Sequence, residues 1–287
     1  MKGCPPATLD PLIYGPVIDR ALREDLGDKG DVTTTAVVPP DTEIKACLAT
    51  REAGRVAGLP VALEVFRRLD PEINVRVLHD DGADVGAGTM IATVEGPARP
   101  ILTGERTALN ILTRLCGIAT ATRRVVEAIQ PYPTRVACTR KTTPGLRALE
   151  KYAVRIGGGI NHRFGLYDGV LIKDNHIVAA GGLRLAVERA RTAFSDTMKI
   201  EVEIDSLDQL ALSIEAGADA VLLDNLSPDQ VREAVRLAAG RVVTEASGGI
   251  RPDTVRAYAA TGVDLISLGW LTHSTAGLDI GLDFKRV

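Results

Sequence analysis

Apolar residues first fall into a helical period over Pro11–Leu26, which reads as a helix. Residues 44–50 and 73–78 read as strands, and the glycine-rich residues 82–88 as turns. Over residues 101–129 the helical spacing returns, carried by Leu109, Leu112, Leu115, Val125 and Ile129. Strands and helices mixed without regular alternation predict an α+β unit.

Beyond residue 130 the pattern becomes regular. Short apolar strands begin near Val136, Val170, Ile200, Ala220, Val242 and Leu265, with amphipathic helices between them. The last four recur roughly every 20–23 residues, one compact strand–helix unit. The stretch Ala216-Gly217-Ala218-Asp219-Ala220-Val221-Leu222-Leu223 is echoed by Thr261-Gly262-Val263-Asp264-Leu265-Ile266-Ser267-Leu268, with a glycine where a helix should end and a buried strand begin. Alternating strands and helices predict a parallel sheet, either open and doubly wound or closed towards a barrel. Polar residues follow nearly every strand: Thr139-Arg140-Lys141, Lys173-Asp174-Asn175, Asp224-Asn225, Ser247-Gly248-Gly249 and Gly269. That distribution favours a barrel, which places its chemistry at the C-terminal ends of its strands. An open sheet would concentrate such residues at one switch point.

Composition narrows the function classes. The 287 residues are 45% hydrophobic and 25% charged, which excludes collagen-like and disordered chains. No apolar run approaches the roughly 20 residues of a membrane span. None follows Met1-Lys2-Gly3-Cys4-Pro5-Pro6, so no signal peptide is expected. Aromatics at 3% are too few for nucleic-acid stacking, and 34 Lys+Arg against 37 Asp+Glu (net −3) give no general attraction to nucleic acid or anionic membranes. Cys4, Cys47, Cys116 and Cys138 form no C-x-x-C pair, which points to reduced thiols and a cytoplasmic location.

The near-neutral total hides two arcs. Residues 135–176 carry eight Lys/Arg and three acids, whereas residues 196–229 carry nine acids and one base. Strands laid in order round a barrel would set a cationic wall for a polyanion against an anionic wall for Mg²⁺ or developing positive charge. Within the first arc, Arg147, Lys151 and Arg155 are equally consistent with a solvated helix face. Ile200, Val202 and Ile204 alternate with Glu201, Glu203 and Asp205, so in a barrel strand all three acids should face inward. Ser247-Gly248-Gly249 and Ser267-Leu268-Gly269 fit a phosphate site after the last strands. His162 and Arg163 follow three glycines and fit an anion site, whereas His79, His176 and His273 default to structural roles.

The run Thr139-Arg140-Lys141-Thr142-Thr143-Pro144-Gly145-Leu146-Arg147 resembles a signature of the quinolinate phosphoribosyltransferase family. So do Glu105-Arg106-Thr107-Ala108-Leu109-Asn110, Gly157-Gly158-Gly159-Ile160-Asn161-His162-Arg163, Leu171-Ile172-Lys173-Asp174-Asn175-His176, Glu201-Val202-Glu203 and Leu223-Asp224-Asn225, in family order. Two positions depart from the pattern: Cys116 stands where Ser is expected, and Trp270 is bulkier than expected beside the phosphate loop.

The resemblance implies an α/β protein: an N-terminal α/β sandwich over residues 1–115, joined by residues 275–287, and an incomplete (open) α/β barrel of the type II phosphoribosyltransferases over residues 116–274. It also implies transfer of phosphoribosyl from phosphoribosyl pyrophosphate to quinolinate with decarboxylation, aided by Mg²⁺. The unit of function would be a homodimer whose site is shared between chains. In this reading Arg140, His162, Arg163 and Lys173 hold the diacid, with Thr139 beside them. Lys141, Glu203 and Asp224 are catalytic, and Glu203 and Asp224 serve the metal. Ser247, Gly248, Gly249, Ser267, Leu268 and Gly269 take the 5′-phosphate, and Arg106 reaches in from a partner chain. The main alternative is a related phosphoribosyltransferase with a different acceptor. A lyase using Lys173 as a Schiff base and a non-catalytic sensor remain open behind it.

Overall fold

The computed structural model describes residues 9–194 and 197–285. Cys4, the N-terminal residues on which the signal-peptide expectation rests, the first acid of the acidic arc (Asp196) and the last two residues of the predicted 275–287 segment lie outside the described residues. In chain order the strands are β1 (Glu43–Thr50), β2 (Gly54–Arg55), β3 (Asn74–Val77), β4 (Asp84–Val85), β5 (Met90–Pro97), β6 (Arg135–Ala137), β7 (Val170–Ile172), β8 (Ile200–Ile204), β9 (Ala220–Asp224), β10 (Val243–Ser247), β11 (Leu265–Ser267) and β12 (Ile280–Lys285). The chain divides into two compact units: Met1–Arg123 with Thr142–Gly158 and Leu271–Val287, and Arg124–Lys141 with Gly159–Trp270.

The first unit is built on a four-stranded antiparallel sheet in the order β12-β1-β5-β3. Helix Pro11–Leu26 starts where the pattern places it: proline occupies its first turn and the Asp10 carboxylate accepts the Leu12 N–H at 2.8 Å. Helix Leu59–Leu69 buries Leu59, Val61, Ala62, Leu63, Val65 and Phe66 in this unit's core. Its N-terminus is capped from outside by Asp81, which accepts the Gly58 and Leu59 N–H groups at 2.7 and 3.0 Å and the Tyr152 hydroxyl at 2.7 Å. In helix Ala98–Ala128, Leu109, Leu112, Leu115 and Val125 are buried, as is Ile129 just beyond it.

Helix Arg147–Ile156 belongs to this unit, whereas a single division near residue 115 places it with the barrel. The reason is local. Glu150 is fully buried and takes Arg114 at 2.9 Å, the Thr143 N–H at 3.0 Å and the Thr143 hydroxyl at 2.8 Å. A buried charge satisfied on every side is costly to separate from its partners. Lys151 is also fully buried, so the helix does not present the solvated basic face that its charge spacing allows.

The second unit is a six-stranded parallel sheet in the order β6-β11-β10-β9-β8-β7. Strand order tells the architecture. Strands β7 to β11 follow one another in sequence, and β6, first in the chain, pairs with the last, β11. That is the circular order of a barrel opened between β6 and β7, and a doubly wound sheet would reverse order midway. On the open side of β6, Ile160 continues the ladder through the Cys138 N–H to Ile160 C=O bond (3.2 Å) and the Ile160 N–H to Val136 C=O bond (2.8 Å).

The sequence echo has a structural meaning. Gly217 and Gly262 both adopt left-handed backbone (φ 89° and 87°), ending a helix just before a strand. Two residues later, Asp219 accepts the Ile200 N–H and Asp264 the Thr244 N–H, each at 2.8 Å. Each repeat thus clamps the start of the neighbouring strand, at the end of the barrel opposite the polar loops.

Candidate functional site

Strand alternation sends Ile200, Val202 and Ile204 into the apolar layer, where each is buried, and leaves Glu201 and Glu203 on the other face. The same logic places Asp224 at the end of β9, Glu245 and Ser247 on β10, and Ser267 on β11. They converge with the loop residues after β6 and β7 on one cavity of about 580 Å³. Its lining includes Thr139, Arg140, Lys141, His162, Arg163, Lys173, Glu203, Asp224, Ser247, Gly248, Gly249 and Ser267. Most of the predicted site is therefore in one place, at the C-terminal ends of the strands.

Positive and negative arcs meet within it. Lys173 Nζ donates to Glu203 Oε2 at 2.6 Å. Asn225 Nδ2 donates to Asp224 Oδ2 at 2.7 Å. The Arg163 guanidinium donates to the Gly169 carbonyl at 3.0 Å. Burial lowers its pKa, and the Arg140 charge lowers it further. Two guanidinium groups close enough to repel gain by sharing an anion, and a planar dicarboxylate suits their geometry.

Gly248 and Gly249 follow β10 with φ of 91° and 62°. A Cβ on Gly248 would lie 2.8 Å from the Asn225 backbone nitrogen and overlap that residue's side-chain oxygen. Glycine alone permits this approach, and it leaves backbone N–H groups beside the cavity for a phosphate.

Asp205, Leu268, Gly269 and Arg106 do not line this cavity. Asp205 lies past the end of β8 and is exposed; its N–H donates to Gln209, and it does not line the cavity. The strand stops at Ile204, so the alternation that places all three acids inward stops there too. Leu268 is buried with its N–H on the Ala137 carbonyl, and neither it nor Gly269 lines the cavity. Arg106 is exposed on helix Ala98–Ala128, in the first unit.

His162 lines the cavity, but both ring nitrogens are engaged. The Arg163 N–H donates to Nδ1 at 2.8 Å, which makes Nε2 the protonated nitrogen, and Nε2 lies 2.8 Å from Glu201 Oε2. Glu245, not singled out by the sequence reading, stands 3.6 Å from the same nitrogen and is 1% exposed. Burial pushes its carboxyl up to about 7, with the Glu201 charge adding and His162 opposing. Its signal was the period of two that pairs it with Ser247 on β10.

The two departures from the family pattern are accommodated. The Cys116 thiol accepts the Ala57 N–H at 3.3 Å and faces the Ala57 carbonyl at 3.4 Å, as a serine hydroxyl could. The Trp270 indole N–H donates to the Ile250 carbonyl at 3.1 Å, which anchors the bulky ring. No helix among the described residues is long and apolar enough to cross a membrane.

Comparison with known proteins covers nearly the whole chain. Residues 31–116 match the family described as quinolinate phosphoribosyl transferase, N-terminal domain, and residues 118–283 match its C-terminal domain. A probable nicotinate-nucleotide pyrophosphorylase (carboxylating) of Bacillus subtilis is 46% identical over 267 residues, 93% of this chain and 92% of that one. The nicotinate-nucleotide pyrophosphorylase (carboxylating) of Mycobacterium leprae is 45% identical over 271 residues, 93% and 95% of the two chains. The solved structure of nicotinate-nucleotide pyrophosphorylase from Francisella tularensis superposes with a TM-score of 0.92 at 41% identity, covering 97% of this chain and 98% of that one.

Proposed function

This chain belongs to the quinolinate phosphoribosyltransferase family, and from that premise we propose how its own residues carry out the family's reaction. It is a pentosyltransferase: it moves phosphoribosyl from phosphoribosyl pyrophosphate to quinolinate with decarboxylation, yielding nicotinate mononucleotide, pyrophosphate and CO₂ for NAD biosynthesis. The observation that carries the assignment of roles is that Arg140, Lys141, Arg163 and Lys173 line one cavity together with Glu203 and Asp224.

Arg140, Arg163 and Lys173 hold the two carboxylates of quinolinate, with Thr139 beside them and His162 behind Arg163. Lys141 lies between the acceptor and the departing pyrophosphate. Ser247, Gly248, Gly249 and Ser267 take the 5′-phosphate, the glycines through backbone N–H groups. As the C–N bond forms, the ribose passes through an oxocarbenium-like state. Glu203 and Asp224 hold its hydroxyls and stabilise that charge. The product ring nitrogen is cationic. Loss of the adjacent carboxylate leaves a carbanion beside N⁺, so decarboxylation needs no dedicated base, and Lys141 and Lys173 orient the ring.

Mg²⁺ suits the donors available. Glu203 and Asp224 are hard oxygen ligands on adjacent strands, and each spends one oxygen on a neighbouring group. An ion held there, directly or through water and substrate, would neutralise the pyrophosphate. The exposed position of Arg106 supports a homodimer in which that side chain completes the partner's cavity. The scattered thiols support a cytoplasmic location.

The test is direct: purified protein, Mg²⁺ and phosphoribosyl pyrophosphate are mixed with quinolinate or with nicotinate, and nicotinate mononucleotide and CO₂ are followed. Turnover with quinolinate alone is expected. Turnover with nicotinate alone would remove the diacid assignment.

A further inference from the structure

At the wall of the cavity, which His162 and Glu245 both line, these two residues and Glu201 bring their polar atoms within 4.8 Å of one another. Glu201 stands on β8 and Glu245 on β10, flanking β9. None of the roles assigned above uses Glu245. Neither oxygen of its carboxyl makes a well-formed hydrogen bond, although the Ser267 hydroxyl is near enough to favour its charged form, and a buried acid so weakly satisfied is rare enough to need a reason.

One His and two carboxylates could suit a transition metal, but the hydrogen bonding opposes it. A metal on Nε2 would require the proton on Nδ1, the nitrogen that already accepts the Arg163 N–H. The geometry instead describes a chain. The two carboxylates flank Nε2–H, Glu201 at 2.8 Å and Glu245 at 3.6 Å. The far side of the same ring fixes the Arg163 backbone, and the Arg163 guanidinium is fixed at its other end by the Gly169 carbonyl.

We propose that Glu245 is a positioning residue for the acceptor: from the cavity wall it holds the Glu201–His162 pair, and through His162 it sets Arg163 against a carboxylate of the diacid. The inference rests on the functional reading above, because it takes Arg163 as an acceptor ligand. It makes His162 a strut whose ring nitrogens are spent on the protein. It also gives Glu245 a neutral role, since an ionised carboxylate would add a second buried negative charge beside Glu201.

Steady-state kinetics with each substrate varied tests this. E245A is expected to raise KM for quinolinate about tenfold while KM for phosphoribosyl pyrophosphate and kcat stay within about threefold. E245Q keeps the volume and a neutral hydrogen-bonding group, and is expected to stay within about twofold of the parent in all three. Should E245A fail to fold, E245M fills the volume without a hydrogen-bonding oxygen and is read the same way. Quinolinate titration calorimetry supplies the coupling: with Arg163→Ala in place, E245A (or E245M) is expected to weaken quinolinate binding no further. The proposal is overturned if both KM values rise together, if neither moves, if E245Q behaves as E245A, or if the losses add in the Arg163→Ala background. If the parent protein turns over no quinolinate, the functional reading fails and the inference falls with it. If the parent is active, the variants judge the inference alone.

Discussion

Lys173 Nζ lies 2.6 Å from Glu203 Oε2, which joins the basic stretch of the second unit to its acidic stretch by one ion pair inside the cavity. The two residues sit on neighbouring strand ends, and either alone would leave an uncompensated charge there. Lys173→Met is expected to lower kcat/KM by about 100-fold, roughly 2.7 kcal/mol of transition-state stabilisation. The double variant with Glu203→Gln should lose less than the sum of the two single losses. Strict additivity in the four-way comparison would show that the ion pair is not used.

Glu245 predicts a pH-dependent stability. The folded protein binds its proton more tightly than the unfolded chain does, with the carboxyl moved from the ordinary 4.5 to about 7. The stabilisation is complete below about pH 4.5 and is lost as pH rises through about 7, with an upper size on the order of 3 kcal/mol. E245Q mimics the protonated form. Relative to the parent its Tm should therefore be higher at pH 8 than at pH 5. The same difference at both values, measured by calorimetry, would deny the raised pKa.

Gly248 and Gly249 should respond differently to alanine. Both have left-handed backbone, which costs a side chain about 1 kcal/mol. Only at Gly248 does the new methyl meet the backbone of Asn225; at Gly249 nothing lies within 4 Å. Gly249→Ala is expected to cost about 1 kcal/mol in urea unfolding, and Gly248→Ala at least twice that, with a raised KM for phosphoribosyl pyrophosphate. Equal costs would mean that Asn225 moves aside freely.

All six barrel strands were readable from the chain, because parallel strands buried between layers are short apolar runs at even spacing. Helix Pro11–Leu26 was readable over its whole length, and the structure adds the proline and the Asp10 cap that start it. The site was legible where a charged residue directly follows a strand, as at Arg140, Lys173 and Asp224. It was faint at Glu245, which alternates with Ser247 but sits inside a strand whose neighbours look like core, and it was not legible in the bond of His162 to Glu201, 39 positions away. Nor does charge spacing show that helix Arg147–Ile156 belongs with the first unit. That follows from a buried pairing of Glu150 with Arg114, 36 positions away.

Cys116 gives a chemical prediction. Burial pushes its thiol up to about 12, so it holds almost no thiolate at neutral pH. Iodoacetamide should modify Cys116 only after denaturation, as read by peptide mass spectrometry. Cys116→Ser should keep the contacts to Ala57 and change stability by no more than about 1 kcal/mol. Labelling in the native protein would show that the first unit opens locally.

Strand β12 pairs with β1 along its whole length, from Thr50 opposite Ile280 back towards Lys45. The first unit thus receives an edge strand from residues made more than 200 positions after its partner. During synthesis β1 must wait, with one row of N–H and C=O groups open, while the ribosome makes the entire barrel. The barrel segment can fold on emergence, but the sheet that precedes it is completed last. A chain stopped before residue 280 would leave that edge bare, a template for pairing with other chains.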